Sequence, residues 1–150
     1  MSRSVLVIIG VLLGASIAYT AQRPPSQVEV YKSPTCGCCS QWVEHLKAAG
    51  LTVRTTDTDT VDELKDKYGV PRQVRSCHTA LVGGYVVEGH VPVADVQRML
   101  KQRPAIAGIG VPGMSIGSPG MEVAGMKPQP YDVVAFAKDG STRIFASYNK

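Results

Sequence analysis

Three cysteines fall within four residues, in Cys36-Gly37-Cys38-Cys39, and a fourth stands alone at Cys77. No other feature narrows the possible folds as much. In an exported chain, four cysteines ordinarily suggest two disulfides. Here the Cβ vectors of adjacent residues diverge, so a bridge inside the triplet is strained and a vicinal Cys38–Cys39 bridge is rare. At most one of the three pairs easily with the distant Cys77. Two thiols would then be left open to oxidation. One soft-metal site shared by Cys36, Cys38, Cys39 and Cys77 removes the difficulty, provided the fold carries Cys77 back to the triplet.

Export is itself read from the start of the chain. Arg3 precedes an apolar run from Val5 to Ile17, and small residues follow at Ser16, Ala18 and Ala21. That layout predicts a signal peptide over 1–21, or an uncleaved N-terminal anchor. The run is shorter than the roughly 20 residues that span a bilayer comfortably. Residues 22–27, with Arg23-Pro24-Pro25-Ser26, form a linker. Either way the rest of the chain is expected outside the cytoplasm, in the periplasm, and touches membrane only through an uncleaved segment. The net charge of +4 is dispersed, without a basic run, and excludes a nucleic-acid partner.

Residues 28–104 read as one α/β unit. Val28 to Tyr31 alternates as a strand, and Ser33-Pro34-Thr35-Cys36-Gly37 is a turn. Cys38 to Ala49 follows as a helix with Trp42, Val43, Leu46 and Ala49 on its buried face, stopped by Gly50. Leu51 to Thr56 is a second strand. Val61 to Tyr68 is a helix with Thr60 as N-cap and Glu63 completing a capping box. Thr79–Val82, Gly83-Gly84 and Tyr85–Val87 give a hairpin on a two-residue turn. A last helix runs from Val93 to Gln102 and closes at Arg103-Pro104.

The first two strands, joined by a crossover helix, should be parallel, and the hairpin antiparallel. This is the order of a thioredoxin-like mixed sheet with flanking helices. In that order the cysteine triplet lies where the first strand turns into the first helix. Cys77 lies just before the third strand, beside it. Residues 105–150 read as an extension of the same domain. Ala105 to Pro130 is a Gly-, Pro- and Met-rich loop without strand or helix period, and Asp132–Ala137 with Thr142–Ser147 forms a C-terminal β-hairpin.

Thiolates are soft ligands that select Cu(I), Zn(II) or iron–sulfur clusters. A helix N-terminus lowers thiol pKa and favours thiolate, which helps both metal capture and disulfide exchange. Spacing separates these uses. Cys36 and Cys39 satisfy a Cys-x-x-Cys redox motif, but Cys38 competes for any bridge between them. Zinc usually takes two separated pairs of cysteines. Cu(I) accepts two or three thiolates and lets sulfur bridge several ions. Copper, as Cu(I) in a cluster that suits more than one ion, is therefore the favoured cofactor, ahead of zinc or an iron–sulfur cluster, with a thiol oxidoreductase acting through Cys36 and Cys39 as the alternative.

Further ligands are candidates. His78 follows Cys77 directly and is either a ligand or a structural histidine, since strand neighbours point to opposite sides. His90 follows Gly89 at a strand end, and a turn histidine is the preferred reading over a site residue. His45 lies two turns from Cys38, about 10.5 Å along the helix, and reads as a surface residue. Met114 and Met121 are candidate thioether ligands, Met99 belongs to the core, and Met126 should pin the loop to the core.

The stretch Val30-Tyr31-Lys32-Ser33-Pro34-Thr35-Cys36-Gly37-Cys38-Cys39 with Trp42 resembles the signature of an exported bacterial domain family of unassigned function, which includes the copper-resistance protein CopG. Ser76-Cys77-His78-Thr79-Ala80, Glu88-Gly89-His90-Val91-Pro92 and Gly117-Ser118-Pro119-Gly120-Met121-Glu122 match its pattern in order. The resemblance runs from about Val28 to Ser147. It implies a thioredoxin-like domain, a periplasmic location, copper handling through the four cysteines and a redox role in copper tolerance. The expected protein binds copper and either sequesters it or cycles it between redox states. The alternatives are a thiol–disulfide oxidoreductase and a metallochaperone serving other periplasmic copper-handling proteins.

Overall fold

The structure, a computed structural model, describes residues 27–150. The expected signal segment 1–21 and most of the linker lie outside the described residues. Strand β1 (Val28–Lys32) buries alternate residues, as its sequence pattern requires. Helix α1 (Gly37–Ala48) buries Cys39, Trp42, Val43 and Leu46, one stripe at helical spacing. It ends where Gly50, at φ +82°, turns the chain and bonds back to Lys47. Strand β2 (Val53–Asp57), helix α2 (Val61–Lys67) and a 3-10 turn at Arg72–Val74 lead to β3 (His78–Val82). Strand β4 (Tyr85–Glu88) and helix α3 (Val93–Gln102) complete the expected order.

One expected detail is absent. The capping box of α2 does not form, because the Thr60 hydroxyl pairs with that of Thr58 at 2.9 Å instead of capping the helix.

Among the described residues the strands form one seven-stranded sheet in the order β2-β1-β3-β4-β5-β6-β7. β1 and β2 are parallel, and β1–β3 and β3–β4 are antiparallel. Strand β5 (Gly108–Gly110) corrects the expectation of a loop without strand. It pairs parallel to β4 and antiparallel to β6 (Tyr131–Phe136), and so carries the hairpin of β6 and β7 (Thr142–Tyr148) into the main sheet. The sequence hides β5 for a packing reason. A Cβ at Gly108 or Gly110 would collide with Val86 or with Val74 and Glu88, so the strand holds glycines where β-formers would signal it.

The main core gathers Val28, Val30, Trp42, Leu46, Val87, Val91, Met99, Ile109 and Val133 between the sheet and helices α1 and α3. Met99 is fully buried, as its place in α3 predicts. Among the described residues no helix is long and apolar enough to cross a membrane.

Candidate metal centre

Cys36 is the N-cap of α1, so Cys38 and Cys39 occupy its first turn. Cys36 and Cys39, one turn apart with Cα atoms at 5.3 Å, are joined by a disulfide. This corrects the expectation that bridging inside the triplet is too strained. The divergence of side chains holds for adjacent residues, and a helical turn brings residues i and i+3 onto one face. Cys38 and Cys77 are free thiols.

Cys77 reaches the triplet from the loop entering β3. Its Sγ lies 3.5 Å from Cys39 Sγ, while Cys38 Sγ lies 3.5 Å from Cys36 Sγ. All four sulfurs fall within 4.8 Å of one another. The predicted joining of Cys77 to a motif 38 residues upstream is what the sheet delivers, because β3 is the immediate neighbour of β1.

A second donor group shares Cys77. Its Sγ stands 3.0 Å from His90 Nε2 and 3.4 Å from His78 Nδ1, and these three donors also lie within 4.8 Å of one another. The preference for His90 as a turn residue is thereby corrected. The ring is fully buried and aimed at the sulfur. Its Nδ1 lies 2.8 Å from the Pro119 carbonyl, which can only accept, so Nδ1 carries the proton and Nε2 turns a lone pair toward Cys77.

A signal for this pairing was present. The two-residue turn at Gly83-Gly84 pairs Val82 with Tyr85 and Thr79 with Glu88, and continuing that ladder sets Cys77 opposite His90. His78 is packed against Trp42, with ring centroids at 4.5 Å, and its Nε2 has no hydrogen-bond partner among the described residues.

Burial sets the charge state of these groups. Desolvation pushes the Cys77 thiol up to about 11, although the Ser76 hydroxyl opposes the shift. The helix-terminus effect expected to favour thiolate therefore does not govern Cys77, which sits on no helix. Desolvation also holds His78 well below the usual histidine value and lowers His90. Both rings are neutral, as ligands must be.

The loop after β5 closes over the site. Pro119 holds His90, and Gly120, at φ +83°, lies against the α1 backbone, where a Cβ would stand 2.7 Å from Cys38 O and 2.8 Å from Trp42 N. Glu122 accepts the Gly120 N–H at 2.7 Å and pairs with His45 at 3.1 Å. His45 is thus a surface residue fastening the loop, not part of the donor group. Met114 and Met126 are more than half exposed, so neither pins the loop to the core, contrary to the expectation for Met126. Met121 is half-buried in the turn that bonds Gly117 to Met121.

Beneath the donors lies a network that sequence reasoning missed. Lys65 Nζ meets Glu88 Oε1 at 2.8 Å and Thr79 Oγ1 at 3.0 Å, with both charged side chains buried. Thr79 donates to Glu88 Oε2 at 2.7 Å, and the Ser76 N–H donates to Glu88 Oε1 at 2.7 Å. Burial pushes the Glu88 carboxyl up while the Lys65 ammonium pulls it down. Only β3–β4 register and the placement of α2 bring these residues together.

The fold and donor set define a mixed α/β protein with a sulfur-rich cluster suited to a soft metal ion. The sequence profile described as "Protein of unknown function, DUF411" matches residues 74–121, a span that holds Cys77, both buried histidines and the first part of the closing loop. Two solved structures of the copper resistance protein CopG are 38% identical to this chain, each with a TM-score of 0.79. Form 2 is matched over 83% of this chain and 99% of its own, and Form 1 over 85% and 100%. No curated protein matches. The chain belongs to the DUF411 family that includes CopG.

Proposed function

We propose that this is an exported, periplasmic protein that binds copper as Cu(I), several ions per chain, and serves copper tolerance by sequestration or by copper redox cycling. The observation that carries this reading is the meeting of four sulfurs within 4.8 Å, with two neutral imidazoles beside Cys77. Soft sulfur with imidazole nitrogen suits Cu(I), and Cys77, common to both donor groups, would be among the residues that hold it. The copper resistance proteins of the same family support the choice of metal. The apolar N-terminal run supports export.

The Cys36–Cys39 disulfide withholds two of the four thiolates. Full copper uptake therefore follows reduction of that bond to two thiols by an external dithiol, which gives up two electrons and two protons and is itself oxidised to a disulfide. Metal analysis of protein purified under reducing conditions, followed by Cu(I) titration, tests the proposal. More than one tightly bound Cu(I) per chain is expected. Less than one, with all four cysteines reduced, would overturn it.

The disulfide itself favours a second reading, a thiol–disulfide oxidoreductase acting through Cys36 and Cys39. Insulin reduction that persists in Cys38→Ser and Cys77→Ser variants would favour this reading over copper binding.

A further inference from the structure

We infer that Glu88, neutralised by Lys65, is a positioning residue that fixes Cys77 against His90 through the backbone of Ser76. The inference rests on the copper-site reading for its functional consequence, but not for its geometry.

Burying an ion pair seldom adds stability, because the desolvation of two charges offsets their attraction. A pair this buried therefore invites a reason other than stability. Its contacts supply one. Of the four residues in this network, Thr79, Ser76 and Glu88 are sequence neighbours of the donors, and only Lys65 comes from elsewhere. Thr79 follows His78, Ser76 precedes Cys77, and Glu88 itself lies two residues before His90.

The Ser76 N–H lies outside the β3–β4 ladder, whose last pair is Thr79 with Glu88. Without Glu88 Oε1 that N–H has no acceptor in the strand pairing. The last backbone bond between the two strands runs from the Gly89 N–H to the His78 carbonyl at 3.0 Å, and the carboxylate continues the pairing from there by a side chain. Gly89 completes the fit, since a Cβ there would collide with the Ser76 side chain and stand 2.9 Å from Val111 O. Ser76 Oγ also donates to the Gly113 carbonyl, tying the same residue to the loop after β5.

Lys65 comes from α2, a separate element, and supplies the charge that lets an ionised carboxylate remain buried. A cavity of about 290 Å³, lined in part by Ser33, Asp62, Lys65, Ser76 and Cys77, opens this side of Cys77 to reagents.

Two charge-free double variants of the full chain separate positioning from stability. Lys65→Met with Glu88→Gln keeps an oxygen acceptor for the Ser76 N–H. Lys65→Met with Glu88→Leu removes it. In the oxidised, metal-free protein the Cys36–Cys39 bond leaves Cys38 and Cys77 as the thiols that iodoacetamide reaches. The readout is the rate at Cys77 relative to Cys38, beside the urea midpoint.

The Leu variant should raise that ratio about tenfold, the factor corresponding to loss of one hydrogen bond to a charged acceptor. Its Cu(I) affinity, measured after reduction, should fall about 10- to 100-fold, as for loss of a group that orients a metal ligand. The Gln variant should stay near wild type in both. Equal ratios in the two variants would overturn the inference. So would rapid exchange of the Ser76 amide in wild-type protein, a measurement that needs no variant to fold. If wild-type protein binds no copper while the ratio shifts as expected, the copper reading fails and the anchor stands.

Discussion

The first turn of α1 and the open end of the β3–β4 hairpin each deliver three donors to the site, by different physical means. Cys36, Cys38 and Cys39 are held together by covalent proximity and a helical turn. Cys77, His78 and His90 meet only because two strands pair in one register, and because a loop carbonyl and a buried carboxylate hold the ends. A shift of one residue in that register would send the hairpin side chains to the opposite face. The helical turn would keep its cysteines whatever the sheet did. The difference teaches where the site is vulnerable: its sulfur-rich half is robust to mutation elsewhere, and its mixed half depends on a framework of residues that touch no metal.

Trp42 is where the two halves lean on each other. Its ring is fully buried against His78, and its Nε1 donates to the Val91 carbonyl at 2.8 Å. Trp42→Ala should break the comparison most severely, costing about 3–5 kcal/mol through cavity formation and the loss of that bond. Urea unfolding of the metal-free protein measures it. A loss under about 1 kcal/mol would mean that the helix and the hairpin end are not mechanically joined there.

Single cysteine replacements sharpen the contrast. Cys77 belongs to both donor groups and Cys38 to one. Cys77→Ser should therefore lower Cu(I) affinity by about 100-fold, and Cys38→Ser by about tenfold, in competition titrations against a Cu(I) chelator. Equal losses would show that the imidazole side adds nothing to binding.

A further effect, read in stability rather than affinity, is a pH dependence confined to the hairpin half. His78 and His90 have lowered pKa values in the folded protein, both chiefly through desolvation. Below about 6.5 the unfolded chain takes up protons that the folded chain refuses. Stability of the metal-free protein is thus full above that pH and falls as the pH drops from 6.5 toward 5, by at most about 1.4 kcal/mol per unit for each histidine. Urea midpoints at pH 8 and pH 5 check the sign. A midpoint that rose on acidification would contradict the burial of both rings.

Much of this was legible in order along the chain. Alternation in Val28–Lys32 and the stripe of Trp42, Val43 and Leu46 announce a strand and a helix, because each element must bury one face. Gly83-Gly84 announces a hairpin, and that hairpin already contained the opposition of Cys77 and His90. The helix of Val61–Lys67 was legible, but its cap was not, since two threonine hydroxyls satisfied each other instead. Strand β5 was illegible because its glycines are chosen by close neighbours rather than by strand preference. Nothing in the local pattern marks Lys65, on a helix, and Glu88, at a strand end, as buried partners.

Taken alone, the sequence determined the local elements, the cysteine triplet and the likelihood of a soft-metal role, because short-range periodicity and covalent spacing act within a few residues. Only the tertiary structure decided that Cys36 and Cys39 are paired, that His90 turns its Nε2 to Cys77, and that Glu88 and Lys65 lie buried beneath them. Those outcomes depend on desolvation and on contacts between residues far apart in the chain, and neither quantity exists until the sheet has formed.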